Sequence, residues 1–163
     1  MTALRVVDRA VARIERGVAV ALLAATVAIV ILQVFFRYGL NSSLSWSEEA
    51  ARYLFIWSAV LGFSSSVEAR RLFRFDLLAR RLSARGHMVC AVLFVVAAAG
   101  FLWALVIHGS ALVAGTTSQS SPAMGLSMAV PYAALPVGGA LMALHFLASL
   151  GAPPIAVHDP VAT

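Results

Sequence analysis

A single cysteine, Cys90, stands in 163 residues, and lysine is absent altogether. One cysteine can form neither an intrachain disulfide nor a multi-cysteine metal site, which also excludes a disulfide-exchanging membrane oxidoreductase. Cys90 reads as a small apolar packing residue. Charge is scarce as well. Charged residues make up 12% of the chain against 61% hydrophobic, and the mean hydropathy is +0.92. A soluble domain of this length could not bury that much apolar surface. There is no nucleotide-binding loop, no cluster of metal-ligand residues and no nucleophile beside a base. Neither enzymatic activity nor a cofactor or metal is expected. Without a basic stripe interleaved with aromatics on a soluble stretch, nucleic-acid binding is excluded too.

What is present is four apolar runs, at residues 18–36, 50–67, 88–113 and 129–150. A helix needs ~20 apolar residues to cross the hydrocarbon core of a bilayer. The expected fold is therefore an all-α integral membrane protein, one domain over residues 1–163 with four transmembrane helices. Amphipathic interfacial helices are expected near residues 4–16 and 70–85. The first run is longer than the apolar core of a signal peptide and ends at Phe36-Arg37-Tyr38 rather than at a small-residue cleavage site. It reads as an uncleaved span.

All the basic residues are arginine, and their placement orients the chain. Arg5, Arg9, Arg13 and Arg16 precede the first run, and Arg70, Arg71, Arg74, Arg80, Arg81 and Arg85 lie between the second and third. Arg37 and Arg52 alone fall toward the other side. The positive-inside rule then puts both termini and the middle loop in the cytoplasm. It also places the arginine clusters against anionic lipids of the inner leaflet.

Local patterns add detail. Leu4, Val7, Val11 and Ile14 share one helical face, and the four N-terminal arginines share another. Ala21 with Ala25, and Ala24 with Ala28, have the spacing that permits close helix approach in a membrane. Ser45 and Glu48 fit a capping box, Glu48 and Glu49 suit the positive end of a helix dipole, and Glu48 can pair with Arg52 four residues on. Trp46 suits an interfacial aromatic belt. The uncharged part of the second run, residues 53–67, rises only about 22 Å, so this helix is expected to pack on protein. Arg37 lies at a similar depth to the two glutamates, and an interhelical pair of Arg37 with Glu48 or Glu49 is expected. Pro136 is expected to kink the fourth helix.

Ionisable residues are missing from the middle of the spans, where transporter sites concentrate. His108 and His145 lie toward opposite ends of their spans, so they cannot share a haem iron.

The segment Phe36-Arg37-Tyr38 through Trp46-Ser47-Glu48-Glu49-Ala50-Ala51-Arg52-Tyr53 to Trp57, with Gly62 beyond it, resembles the small membrane subunit of TRAP (tripartite ATP-independent periplasmic) transporters, the DctQ-like family. Residues 121–126, followed by Pro131-Tyr132 and Leu135-Pro136-Val137-Gly138, resemble that family's entry to its fourth helix. The stretch Leu72-Phe73-Arg74-Phe75-Asp76 departs from it, with Leu72 where the family often has histidine. The resemblance implies a small permease subunit of a sodium-coupled importer of an organic acid such as a dicarboxylate, keto acid or sugar acid, in the bacterial inner membrane. It implies an obligate partnership with a large membrane subunit, and a periplasmic substrate-binding protein that delivers the solute. Arg37, Trp46, Glu48, Glu49, Arg52, Trp57, Gly62 and Pro136 become candidate structural or subunit-interface residues. The competing readings are the small subunit of a tripartite tricarboxylate transporter, against which the Trp46-Glu48-Glu49 segment argues, and the membrane anchor of a respiratory enzyme, which would need paired haem histidines.

Overall fold

The computed structural model describes residues 2–68 and 84–150. Its helices in chain order are α1 (Thr2–Gly39), α2 (Ser47–Glu68), α3 (Ala84–Thr116), α4 (Ala129–Tyr132) and α5 (Ala134–Leu150). The one strand-like feature among the described residues is an isolated bridge between Ser120 and Ser127. Three stretches are long and apolar enough to cross a membrane: Arg5–Gly39, Met88–Thr116 and Ala129–Ser149. The chain is an all-helical, multi-pass membrane protein.

Two expected boundaries shift. The N-terminal amphipathic segment is not a separate helix: α1 runs unbroken for 38 residues, about 57 Å at 1.5 Å per residue. No glycine or proline cluster interrupts residues 4–16, and Gly17 alone is tolerated in a helix supported on both sides. The second helix is longer than its uncharged stretch, with 22 residues, or about 33 Å. The amphipathic segment expected at 70–85 lies almost wholly outside the described residues.

In lipid there is little hydrophobic drive between helices, so association rests on close packing and a few polar contacts. Here α1 packs along α2, α2 along α5, and α5 along α3, while α1 meets α5 in a smaller contact. The centre is thus α2 and α5. Toward the C-terminal ends of these two helices Val67, Met142 and Phe146 form a buried cluster, flanked by Val60 from α2 and Phe94, Val95, Ala98 and Leu102 from α3. The side of α1 that turns inward carries Ala12 and Ala19, both buried, while Ala21, Ala24 and Ala28 are exposed. Of the small-residue pairs expected at the helix interface, Ala24 with Ala28 faces outward, whereas in the other pair Ala21 is exposed and Ala25 half-buried. Ser58 of α2 donates to the Ala19 carbonyl at 2.9 Å, an interhelical hydrogen bond of a kind that contributes about 0.6 kcal/mol on average in membranes.

Adjacent glycines let α5 sit between two neighbours. A side chain at Gly138 would run into Val60 of α2, whereas one at Gly139 would press within 3.1 Å of Val106 and 3.2 Å of Leu105 on α3. Gly109 of α3 performs the same service for Pro136, whose Cδ lies 2.9 Å from where a β-carbon would stand. Pro136 has no N–H to offer the Tyr132 carbonyl, and the helix breaks between Tyr132 and Ala134. The irregularity is confined to Ala133, which keeps helical dihedrals (φ −59°, ψ −20°) and still bonds to the Ala129 carbonyl, one turn before the proline. Cys90, expected to be packed, is exposed on α3.

Replacing Gly138 by valine should destabilise the fold by about 1–3 kcal/mol, the usual range for overpacking. The companion change Val60→Ala should recover part of that loss. Thermal unfolding of the single and double variants in detergent checks both; equal destabilisation with and without Val60→Ala would contradict the packing described.

Candidate functional site

The family-like segment at the start of α2 builds a fastener for the loop between α3 and α4. Glu49, Tyr53 and Trp57 are four residues apart and so share one face. Glu49 receives the Ala123 N–H on Oε1 at 3.1 Å and the Met124 N–H on Oε2 at 3.0 Å. The Tyr53 hydroxyl donates to Met128 Sδ at 3.4 Å, and the Trp57 indole N–H donates to the Val130 carbonyl at 3.2 Å. The loop itself is folded into a small hairpin. Ser121 N–H bonds to Leu126 O, Met128 N–H to Gln119 O, and Ser127 Oγ to Thr117 O. Gly125 takes φ +66°, a conformation that suits glycine. Two backbone N–H groups converging on one carboxylate form a strong, orienting contact.

The other candidates distribute around this fastener. Glu48 pairs with Arg52 at 2.9 Å on the exposed side of the helix, as its spacing predicts. It does not reach back to Ser45: α2 starts at Ser47, whose hydroxyl donates to the Leu44 carbonyl at 2.7 Å, so the capping box does not form. Arg37 does not meet either glutamate. Its guanidinium lies 5.9 Å from the ring centre of the neighbouring Tyr38, because Glu48 is taken by Arg52 and Glu49 by the loop amides. Trp46 is exposed next to this end of the bundle. Gly62 accepts hydrogen bonds from Ser65 and Ser66 on its carbonyl, and the space where its side chain would be is open.

A second polar cluster lies at the opposite end of the bundle. His145 of α5 is 0% exposed. Its Nδ1 is 2.6 Å from Asp8 Oδ1, and its Nε2 is 3.1 Å from Glu15 Oε2. Both acids are on α1, seven residues apart and therefore on one face, and Ala12 between them is also buried. Nearby, Arg16 reaches Glu68 of α2 at 3.8 Å. Sequence reasoning missed this cluster. The signal available was that Asp8 and Glu15 fall two turns apart, between the arginine stripe and the apolar stripe, at the same end as His145. The apolar face singled out from the sequence as interfacial is turned outward: Val7 is 53% and Ile14 67% exposed. Carboxylates on both ring nitrogens leave His145 no position for a haem iron, and His108 is exposed. Among the described residues no group of His, Cys, Asp or Glu has the arrangement of a metal site.

The Glu49 carboxyl is held below its ordinary range. Desolvation under the loop pushes it up, but the Ser121 hydroxyl beside it, the Ala123 and Met124 amides, and the Arg52 charge together outweigh that. A depressed carboxyl contributes stability above its unfolded value and loses it on acidification. Hydrogen exchange at the Ala123 and Met124 amides should therefore stay slow from neutral pH down to the ordinary carboxylate range, then quicken as Glu49 protonates. Glu49→Gln should exchange faster at neutral pH and show no such step. An unchanged step in that variant would remove Glu49 as the cause.

Over residues 26–152 the sequence matches the family described as "Tripartite ATP-independent periplasmic transporters, DctQ component". It is similar to the isethionate TRAP transporter permease protein DctMQ of Oleidesulfovibrio alaskensis, at 32% identity over 151 residues, which cover 85% of this chain and 23% of that one. It is also similar to the sialic acid TRAP transporter small permease protein SiaQ of Vibrio cholerae, at 24% identity over 144 residues, 88% of this chain and 83% of SiaQ. The chain thus spans less than a quarter of the length of DctMQ but most of the length of SiaQ. With the Trp46-Glu48-Glu49 segment fastening the loop that leads into the last apolar stretch, and the family match running across both, the chain belongs to the DctQ family and is a small permease subunit of a TRAP transporter.

Proposed function

We propose that this subunit is a scaffold that braces a large membrane subunit in the bacterial inner membrane, within a sodium-coupled importer of an organic acid. The observation that carries the reading is the match to DctMQ: one longer permease polypeptide contains a counterpart of this chain in under a quarter of its length. The remainder of such a polypeptide is where a solute and sodium pathway would lie. In our reading that role belongs to a large membrane subunit braced by this chain, and a periplasmic binding protein delivers the acid. The two similar transporters are named for isethionate and sialic acid, both acids, which supports an acidic solute here.

The surface of the chain suits a brace. Along α3, Val92, Leu93, Val96, Phe101 and Trp103 are all more than half exposed, and α1 exposes a similar row. These rows offer apolar area to lipid and to the large subunit. The open side of Gly62 and the exposed Arg37 and Trp46 are further contact candidates. In this reading α2, anchored at both ends, makes the fourth crossing. Both termini then lie in the cytoplasm with the N-terminal arginines against anionic lipid, and the Glu49-held loop faces the periplasm and the binding protein.

Reconstitution tests the assignment. Liposomes holding this chain together with its large subunit, supplied with the binding protein and an inward sodium gradient, should accumulate the organic acid. Liposomes holding either membrane subunit alone should not. Uptake by this chain alone, or full-rate uptake by the large subunit alone, would overturn the scaffold role.

A further inference from the structure

We infer that Asp8, His145 and Glu15 form a buried proton-binding site that latches the inner end of α1 to α5. The argument is a count of hydrogens. Each ring nitrogen of His145 lies at hydrogen-bond distance from a carboxylate oxygen, 2.6 Å to Asp8 and 3.1 Å to Glu15. Each of those contacts needs one hydrogen between the two heavy atoms. A neutral imidazole supplies one N–H, and two ionised carboxylates supply none. The geometry therefore holds one proton more than that. The extra hydrogen resides on the ring, making an imidazolium between two carboxylates, or on a carboxyl that donates to the ring. Without it, an imidazole lone pair faces a carboxylate oxygen inside the protein, with His145 0% and Glu15 4% exposed.

Two further observations point to the proton as ligand. The second oxygen of Glu15, Oε1, is buried with no hydrogen-bond partner. Among the described residues, no donor reaches that oxygen to take up the negative charge that loss of the proton would leave. Among the described residues, Arg9, Arg13 and Arg16 make their contacts elsewhere than at Asp8, Glu15 or His145. On α5, His145 is the sole ionisable residue. On α2, Glu68 faces Arg16 of α1 at 3.8 Å. The side chains of Arg9 and Arg13 run back along α1, each Nε donating to a carbonyl one turn earlier, and both are exposed. Arg5 lies one turn before Asp8 and has interactions of its own. Among the described side chains of α3, the ionisable residues are Cys90, which is exposed, and His108, which is near the other end of the helix.

What the proton controls follows from the packing. Along most of its length α1 rests on α2, and its contact with α5 is small. Two side-chain hydrogen bonds to His145 join α1 to α5. With the proton bound, the first four turns of α1 and their arginines are held at one angle to the bundle. With the proton lost, the acidic face of α1 and the ring lone pair repel, and that segment can part from α5. The site is independent of the scaffold reading, since it concerns contacts within this chain.

The test uses the full chain in lipid nanodiscs, with Cys90→Ser removing the native thiol and spin labels at Val6→Cys and Leu147→Cys, both exposed positions. The distance between labels is measured from pH 5 to pH 9, and side-chain ¹⁵N spectra of histidine report the protonation of His145. One linked proton changes the ratio of closed to open forms by up to about tenfold per pH unit. The expected result is one short distance at the acid end and a growing longer population as His145 and its partners release the proton. Glu15→Gln provides the decisive control: its amide donates to Nε2 while Nδ1–H still donates to Asp8, so both bonds are satisfied without the extra proton. That variant should stay closed at every pH. A closed distance across the whole range in the parent chain, or pH-dependent opening of the same size in Glu15→Gln, would overturn the proposal.

Discussion

In a bilayer, a helix gains little by turning an apolar face toward another helix rather than toward lipid. Every helix pair in this protein must therefore be held by shape or by a polar bond, and the structure is arranged around that constraint. The adjacent Gly138 and Gly139 remove side chains on two sides of α5, so that α2 and α3 can approach it together. Gly109 makes room for the ring of Pro136 in the same way. Large apolar side chains are consequently turned outward in long rows, while much of the interior is alanine, serine and glycine.

Polar fasteners sit at the two ends of this small-residue interior. At one end, a carboxylate on the first turn of α2 gathers two amides of a hairpin loop, with Tyr53 and Trp57 continuing the same face onto Met128 and Val130. At the other end, a histidine of α5 bridges two acids of α1. The two differ in character. The Glu49 carboxylate is partly accessible and meets neutral donors, so it is stable as an anion. The histidine bridge is enclosed, and a buried polar group left without its partner commonly costs about 1–3 kcal/mol.

Three of the four apolar spans, their order and the family resemblance were legible in the chain, because hydrophobic runs and the Trp46-Glu48-Glu49 segment are local patterns. The Glu48–Arg52 pair was legible for the same reason: both residues lie on one helix at a fixed spacing. The roles of Glu49, Tyr53 and Trp57 were not. Their partners at residues 123–130 are more than seventy positions away, and nothing in α2 says which loop comes to rest on it. Arg37 was matched to a glutamate by depth alone, and depth does not say which donors reach that glutamate first.

Hydropathy is a property of a chain in its solvent, so it alone determined that this protein is a helical, multi-pass membrane protein. Which face of each helix turns inward was decided by tertiary packing. On α1 the most apolar stripe is outward, where lipid accommodates it at no cost, and the stripe bearing Asp8, Ala12, Glu15 and Ala19 is inward. In water apolar faces turn inside; here the surroundings are as apolar as the core, and the polar residues are the ones that need a partner.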